Sequence, residues 1–151
     1  MAPAVLALPV VAALAAAAAA PVVPTLKLRN GVELPMVAAG SGGYDSSTAF
    51  ESVKAALAVG FTMVDTALDY GNQEGIGRGI ATVPRERVFL ETKVPGCMGG
   101  LSTLDPFRCQ EETRKDLEKD LRLLKVSYVD LAIVHFPPPP AIVLQSCGFL
   151  T

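Results

Sequence analysis

The feature that most constrains the fold is an alternation, between residues 36 and 135, of short apolar runs with segments of helical periodicity. The apolar runs occupy residues 36–40, 61–65, 88–93 and 128–135. Near-continuous apolar runs are typical of parallel strands that are covered on both faces. Strands that alternate with helices indicate βαβ units. The sequence therefore predicts an α/β fold with about four parallel strands.

The segments between the runs predict helices. Residues 46–60 place apolar side chains at helical spacing, and Thr48 with Glu51 predicts a capping box at the start of this helix. A short, glycine-weakened helix is expected near residues 73–81. Residues 111–126 give the clearest helical pattern, with three leucines on one face: Leu117, Leu121 and Leu124.

An N-terminal β-hairpin is predicted ahead of the alternating segments, over residues 26–35. Asn30 and Gly31 form a favoured turn dipeptide, because both residue types tolerate a positive φ. The sequence therefore predicts two short antiparallel strands joined by a two-residue turn.

Composition separates both ends of the chain from this body. Residues 1–26 carry no charged side chain and contain an alanine tract at 15–20. We expect residues 1–24 to be an Ala/Pro-rich leader, either a cleaved signal or targeting segment or a disordered extension. Four consecutive prolines at 137–140 cannot sit inside a helix and favour an extended stretch. The predicted division is a leader over 1–24, a folded body over 25–137 and an aberrant proline-led tail over 138–151.

Charge and cysteine content exclude several function classes. The net charge of −2 and the pI near 5.4 argue against a nucleic-acid-binding surface. Pro9 interrupts the leader and alanine is only weakly hydrophobic, so no stable membrane span is expected. Three cysteines without a CxxC pair predict free thiols in a reducing compartment, and a single histidine argues against a zinc site. A cytoplasmic location is favoured, although the leader leaves secretory or organellar targeting open.

Polar side chains end three of the four predicted strands. Asp65 ends the second strand, Lys93 the third and His135 the fourth. Because the carboxyl ends of parallel strands share one edge, where α/β folds build their sites, we expect these groups to converge. Tyr70 lies in the loop after Asp65, above the same edge.

A carboxylate, an ammonium, a phenol and an imidazole together suit the reduction of a carbonyl group. When hydride reaches the carbonyl carbon, the oxygen becomes an alkoxide and needs a proton, which a phenol can donate. The ammonium of Lys93 would lower the high pKa of the Tyr70 phenol, and Asp65 would keep that ammonium charged and fixed. His135 would hydrogen-bond the carbonyl oxygen and orient it. Glu91, which alternates with apolar neighbours in the third strand, has no role in this scheme.

Each of these four residues also has a structural explanation when it is taken singly. Asp65 could be a helix N-cap or a turn residue, and Tyr70 could be a packing aromatic. Lys93 could be a surface lysine at a strand exit, and His135 a satisfied core histidine. Independent accidents rarely fall on one edge of a sheet, so their combination favours a functional site.

Three motifs around these residues carry a family resemblance. FTMVDTALDYGNQEGIGRGI, residues 61–80, resembles the signature of the aldo-keto reductase family, in which a strand ends in aspartate and the catalytic tyrosine stands five residues later. LETK, residues 90–93, is similar to the family's lysine strand, and YVDLAIVHFP, residues 128–137, to its histidine strand. LRNGVELP, residues 28–35, resembles the hairpin that closes the bottom of its barrel. The resemblance runs over residues 26–137.

The resemblance implies a (β/α)8 TIM-type barrel that uses NADPH to reduce small aldehydes and ketones to alcohols. It implies Tyr70 as the general acid, tuned by Lys93 and Asp65. It implies His135 as the residue that orients the carbonyl, so that Tyr70 and His135 also bind the substrate. The cofactor-binding positions that it implies are Gly40, Ser41 and Asp65.

The chain departs from the family's pattern after residue 137. Four predicted strands are half of a barrel's eight, and most of the family's contacts to the cofactor's phosphates belong to the half without a counterpart here. We therefore expect residues 25–137 to be a truncated barrel with weak or absent NADPH binding. Its open strand edges would favour self-association. The alternative is a catalytically inactive fragment that acts as a binding or regulatory module.

Overall fold

The structure, a computed structural model, describes residues 22–96 and 106–136. The predicted leader up to residue 21 and the predicted tail over 138–151 lie outside the described residues, so the domain boundaries stay predictions. Among the described residues, no helix is long and apolar enough to cross a membrane. Cys109 is disulfide-bonded, so the expectation of free thiols is wrong for this cysteine.

The described residues form a hairpin followed by a four-stranded sheet with helices. The strands are β1 (Thr25–Lys27), β2 (Glu33–Pro35), β3 (Ala39–Gly40), β4 (Met63–Asp65), β5 (Phe89–Val94) and β6 (Leu131–Val134). The helices are α1 (Ser46–Ala58), α2 (Gln73–Ile80) and α3 (Pro106–Leu124), with single 3-10 turns at Leu68–Tyr70 and Arg85–Arg87. β3, β4, β5 and β6 pair in this order and in parallel. This confirms the predicted fold class, a partial TIM-type barrel preceded by a hairpin.

The hairpin of β1 and β2 is antiparallel, as predicted, but its loop differs. The amide of Leu28 donates to the carbonyl of Val32 at 2.8 Å, which leaves three residues in the loop rather than two. Only Gly31 in this loop takes a positive φ, of 85°. The Oδ1 atom of Asn30 accepts from the amide of Val32 at 3.2 Å. The predicted two-residue turn is wrong because Asn30 uses its side chain, not a left-handed backbone, to close the loop.

Helix α1 begins earlier than the predicted capping box. The carboxylate of Asp45, immediately before the helix, accepts from the amide of Thr48 at 2.7 Å. Thr48 is therefore inside the helix rather than its cap, and the predicted box of Thr48 and Glu51 is wrong. The hydrogen bonds that Asp45 accepts from Thr48 lower the pKa of this carboxyl.

Strand β5 has two distinct faces. Leu90, Thr92 and Val94 are buried towards the helices, whereas Glu91 and Lys93 alternate to the opposite face. The apolar core on the helix side joins α1, α2, β4, β5 and the end of α3. Its buried members are Ala49, Val53, Val64, Ile76, Ile80, Val88, Leu90 and Leu124.

Glycines allow α2 to approach its neighbours closely. A Cβ added at Gly75 would lie 1.9 Å from the carbonyl oxygen of Ser46 in α1. A Cβ added at Gly77 would lie 2.2 Å from the carbonyl oxygen of Leu124 in α3. Both distances are too short for any side chain, so this packing fixes α2, which follows the 3-10 turn that carries Tyr70, against α1 and α3.

Candidate active site

Asp65 and Lys93 form an ion pair across two adjacent strands. Asp65 ends β4, and its register partner in β5 is Glu91, two residues before Lys93 on the same face. The Nζ of Lys93 donates to Oδ1 of Asp65, and to the carbonyl oxygen of Thr66 at 3.2 Å. Parallel pairing therefore brings these two strand-end residues together as predicted from the sequence.

Glu91 is a second carboxylate beside the same lysine. Its Oε1 lies 3.8 Å from Nζ of Lys93, and the two side chains are only 13% and 14% exposed. Burial, together with the negative charge of Asp65, raises the pKa of Glu91, and the charge of Lys93 offsets this only in part. No partner for Glu91 was predicted from the sequence, but the alternation of side chains along β5 accounts for its position beside Lys93.

Lys93 is held in its charged form. Burial by itself lowers the pKa of an ammonium group. The hydrogen bond to Asp65 and the charges of Asp65, Tyr70 and Glu91 outweigh burial, and the pKa of Lys93 is raised above its ordinary value. Lys93 is therefore a fixed positive charge at neutral pH.

The ring of Tyr70 lies near this ion pair. Tyr70 ends the 3-10 turn that follows β4, and Gly71, with a φ of 70°, leads the chain into α2. The Nζ of Lys93 lies 5.6 Å from the centre of the Tyr70 ring, within the range of a cation–π contact. A Cβ added at Gly42 would lie 3.7 Å from the phenol oxygen. The loop after β3 therefore borders the hydroxyl end of the ring.

His135 follows β6 directly and lies against Tyr70. The two ring centres are 5.8 Å apart, and the ring planes are inclined at 74°, an edge-to-face arrangement. The other neighbour of the imidazole is Phe136, whose ring stacks on it at 4.4 Å. The Nδ1 atom lies 3.0 Å from Oδ1 of Asp69. Asp69 was not singled out from the sequence, because no local pattern links two residues so far apart in the chain.

Gly40 and Ser41 lie next to Asp65. Gly40 is the register partner of Asp65 in β3, and a Cβ added there would meet no atom within 4 Å. Ser41 is buried, and its hydroxyl donates to the carbonyl oxygen of Asp65 at 3.0 Å. The buried Asn72, which sequence reasoning did not single out, donates to the carbonyl oxygens of Ser41 (2.8 Å) and Tyr44 (3.0 Å). The loop after β3 is thus fixed by Ser41 and Asn72, and open space remains at Gly40. The position of Asn72 just before a helix is the feature of the sequence that could have drawn attention to it.

The structure brings the four predicted site residues to one edge of the sheet: Asp65, Tyr70, Lys93 and His135. Within residues 22–96 and 106–136, no group of three or more His, Cys, Asp or Glu side chains is placed to hold a metal ion. The cluster combines a phenol, a fixed ammonium and an imidazole. Such a set can deliver a proton to an oxygen that gains negative charge.

Comparison with known proteins shows which family this chain matches. A family model described as the aldo/keto reductase family matches residues 36–151. The glyoxal reductase of Bacillus subtilis is 39% identical over 116 residues, 75% of this chain and 39% of that protein. The NAD(P)H-dependent D-xylose reductase I,II of Candida tropicalis is 32% identical over 123 residues, 78% of this chain and 35% of that protein.

A solved structure gives the same result for the fold. The crystal structure of an aldo/keto reductase from Brucella melitensis superposes with a TM-score of 0.67 at 31% identity. The match covers 82% of this chain and 48% of that one. The chain spans about two fifths of the length of the curated relatives that it matches.

Proposed function

Because the chain belongs to the aldo/keto reductase family, we propose that it takes part in the NADPH-dependent reduction of an aldehyde or ketone to an alcohol. The observation that carries the proposal is the placement of Lys93, bound to Asp65 and 5.6 Å from the ring centre of Tyr70. His135 lies against the same ring. Relatives named as reductases of glyoxal and D-xylose support a small carbonyl compound as the substrate class.

In the proposed reaction Tyr70 is the proton donor. The reduced nicotinamide supplies a hydride to the carbonyl carbon. The carbonyl oxygen then gains negative charge and takes the proton from the Tyr70 hydroxyl. The ammonium of Lys93 stabilises the phenolate that remains, and Asp65 holds that ammonium in place.

His135 is proposed to orient the carbonyl oxygen. A carboxylate only accepts hydrogen bonds, so the proton in the contact between Nδ1 and Asp69 is carried by the imidazole. The contact with Asp69 fixes the orientation of the imidazole beside the Tyr70 ring, where the carbonyl oxygen is proposed to lie.

The nicotinamide cofactor is proposed to bind beside β3. The open space at Gly40, next to Asp65, fits a ligand at this edge of the sheet. Ser41 would contribute by holding the loop, because its buried hydroxyl already bonds to the carbonyl of Asp65. A relative named as an NAD(P)H-dependent reductase supports this class of cofactor. Four of the six described strands form the parallel sheet, half of a barrel's eight, and we propose that these residues alone bind NADPH weakly.

The test begins with an NADPH titration of the 151-residue chain, followed by cofactor fluorescence because the chain contains no tryptophan. Aldehyde reduction is then compared between Tyr70→Phe and a matched control, Tyr128→Phe. Tyr128 lies before β6, at the opposite end from His135, with its ring 4.1 Å from the Arg85 guanidinium. Loss of a general acid is expected to lower kcat about 10²- to 10⁴-fold in Tyr70→Phe, with NADPH affinity unchanged. Reduction by Tyr70→Phe at the rate of Tyr128→Phe would overturn the proposal.

A second candidate function, association with a second copy of this chain, is favoured by β6. Among the described strands, β6 pairs with β5 alone. Ile133 and Val134 in β6 are 38% and 49% exposed. An unpaired edge with exposed apolar side chains is a template for strand pairing.

Sedimentation equilibrium tests this self-association. We expect a dimer in the wild type that is lost in Val134→Lys and kept in Tyr70→Phe. Monomers at every concentration of the wild type would contradict it.

A further inference from the structure

Four polar side chains form a continuous buried network on the helix side of the sheet. We call it the Gln73–Asp120 network, and its members are Thr66, Gln73, Thr92 and Asp120. Each of them is at most 2% exposed. We propose that this network positions the ion pair of the candidate site, and that Asp120 is its central positioning residue.

The hydrogen bonds of the network have a defined direction. The hydroxyl of Thr66 donates to Oε1 of Gln73 at 2.8 Å, and Nε2 of Gln73 donates to Oδ1 of Asp120. The hydroxyl of Thr92 donates to the other carboxylate oxygen, Oδ2. An ionised carboxylate only accepts, so both branches end at Asp120. Each of its two oxygens therefore has a donor.

Each branch starts next to a residue of the ion pair. Thr66 follows Asp65 directly, and its carbonyl oxygen accepts from Nζ of Lys93 at 3.2 Å. Thr92 precedes Lys93 in β5. The contacts therefore form a closed loop, from the Lys93 ammonium through Thr66 and the network back to the residue before Lys93. A displacement of either strand end would break a bond in this loop.

The network also reaches the segment that carries the phenol. Gln73 is the first residue of α2, three residues after Tyr70. The 3-10 turn that ends at Tyr70 is thus connected on one side to β4 and on the other to the start of α2, where Gln73 belongs to the network.

Packing alone gives no reason for a carboxylate at position 120. Asp120 lies one turn before Leu124 on α3, and both are fully buried. Burial of a carboxylate costs free energy, and an apolar side chain at such a position often gives equal or greater stability. Burial also raises the pKa of Asp120, against the hydrogen bonds from Thr92 and Gln73. What an apolar residue could not provide is two acceptor oxygens that fix the donors of β5 and α2 relative to each other.

The catalytic meaning of this inference rests on the proposed function, but the position of Lys93 can be measured without turnover. Thr92→Val removes one donor without a change of charge. Its matched control is Thr82→Val, because the Thr82 hydroxyl bonds to the carbonyl of Gly79 at 2.7 Å, outside the network. NMR relaxation and titration of the Lys93 side chain give its mobility and its pKa.

We expect Thr92→Val to make the Lys93 side chain more mobile and to lower its pKa towards the ordinary value of a lysine, because its charge partner is held less firmly. Where the chain turns over substrate, kcat is expected to fall about tenfold to a hundredfold with KM unchanged. Thr82→Val should leave every readout as in the wild type.

A second set of variants exchanges the amide and the carboxylate. Gln73→Glu alone brings two carboxylates into contact and is expected to disrupt the network or prevent folding. Combined with Asp120→Asn it keeps the net charge and again gives every donor an acceptor, so the double variant should regain the wild-type behaviour of Lys93.

Two outcomes separate this inference from the proposed function. A lower free energy of unfolding in Thr92→Val, with the mobility and pKa of Lys93 unchanged, would overturn the inference and leave the network a structural role. A wild-type chain that reduces no carbonyl compound but shows the expected Lys93 changes would refute the proposed function and support the inference.

Discussion

The close approach of α1 and α2 predicts an unusual response to a substitution that normally stabilises a helix. In a helix interior, alanine is favoured over glycine by about 1 kcal/mol. Gly75→Ala, however, adds a Cβ that would lie 1.9 Å from the carbonyl oxygen of Ser46, about 1.5 Å inside the 3.4 Å at which ordinary contact begins. The atom that it meets belongs to the backbone, so the strain can be relieved only if the two helices separate.

The expected magnitude follows from these two opposing effects. Overpacking a core costs about 1–3 kcal/mol, and occasionally more. A backbone clash of this size belongs at or above the top of that range, so a net destabilisation of about 2 kcal/mol or more remains after the propensity gain. Gly79→Ala is the matched comparison, because its Cβ would meet Cβ and Cγ1 of Val53 at 2.8 Å and the carbonyl oxygen of Phe50 at 3.3 Å, a smaller overlap with the same helix. Its net cost is therefore expected to be smaller than that of Gly75→Ala.

Urea denaturation followed by circular dichroism measures both variants against the wild type. The reasoning requires Gly75→Ala to be clearly less stable than Gly79→Ala, with the slope of unfolding free energy against urea unchanged. A Gly75→Ala protein as stable as the wild type would show that helix propensity, not the contact with α1, decides the outcome. The steric argument would then be refuted.

Three further predictions concern charge, tautomer and packing. The pKa of Glu91 is raised in the folded state, so its stabilising effect is present below the unfolded pKa of a glutamate and is lost as the pH rises through the folded pKa. Glu91→Gln should therefore raise the free energy of unfolding at neutral pH and weaken the fall of that free energy as the pH rises above the acidic range. Urea titrations between about pH 4 and pH 8 measure this, and an unchanged free energy of unfolding at neutral pH would contradict the burial argument. Asp69→Leu removes the acceptor that holds the proton on Nδ1 of His135, so ¹⁵N chemical shifts should show the neutral ring shifting towards the tautomer protonated at Nε2; an unchanged tautomer would mean that the contact does not control the ring. Leu90→Ala, at a fully buried position, should lower the free energy of unfolding by about 2–5 kcal/mol, whereas Leu26→Ala, at a half-exposed position, should lower it clearly less. Equal losses of unfolding free energy would show that Leu90 does not belong to the stabilising core.

Much of the fold could be predicted because its signals are local or topological. Apolar runs of strand length, separated by helical patterns, are sufficient to indicate parallel strands. Once the strands are parallel, residues at their carboxyl ends must share an edge. Asp65 and Lys93 therefore meet although 28 residues separate them. His135 joins them for the same reason.

What the sequence did not reveal depends on side-chain contacts between distant segments. Asp120 falls among charged residues in a helix that looks solvated, and its burial follows only from the way α3 packs on Thr92 and Gln73. Asp69 has no partner until β6 brings His135 across the edge of the sheet. Asp45 could have been recognised as the α1 cap, because aspartate is a preferred capping residue. It was overlooked because Thr48 and Glu51, which lie inside the helix, also match the capping-box pattern.

The two faces of β5 have different roles, so the fold depends on the register of this strand in the sheet. Leu90, Thr92 and Val94 point towards the helices, and Glu91 and Lys93 lie on the opposite face of the sheet. Deletion or insertion of a single residue within this strand would exchange the two sets, because side chains alternate with a period of two. Charged groups would enter the apolar core at the same time as an aliphatic side chain entered the site. A change in the length of β5 would therefore disrupt the apolar core and the candidate site at the same time.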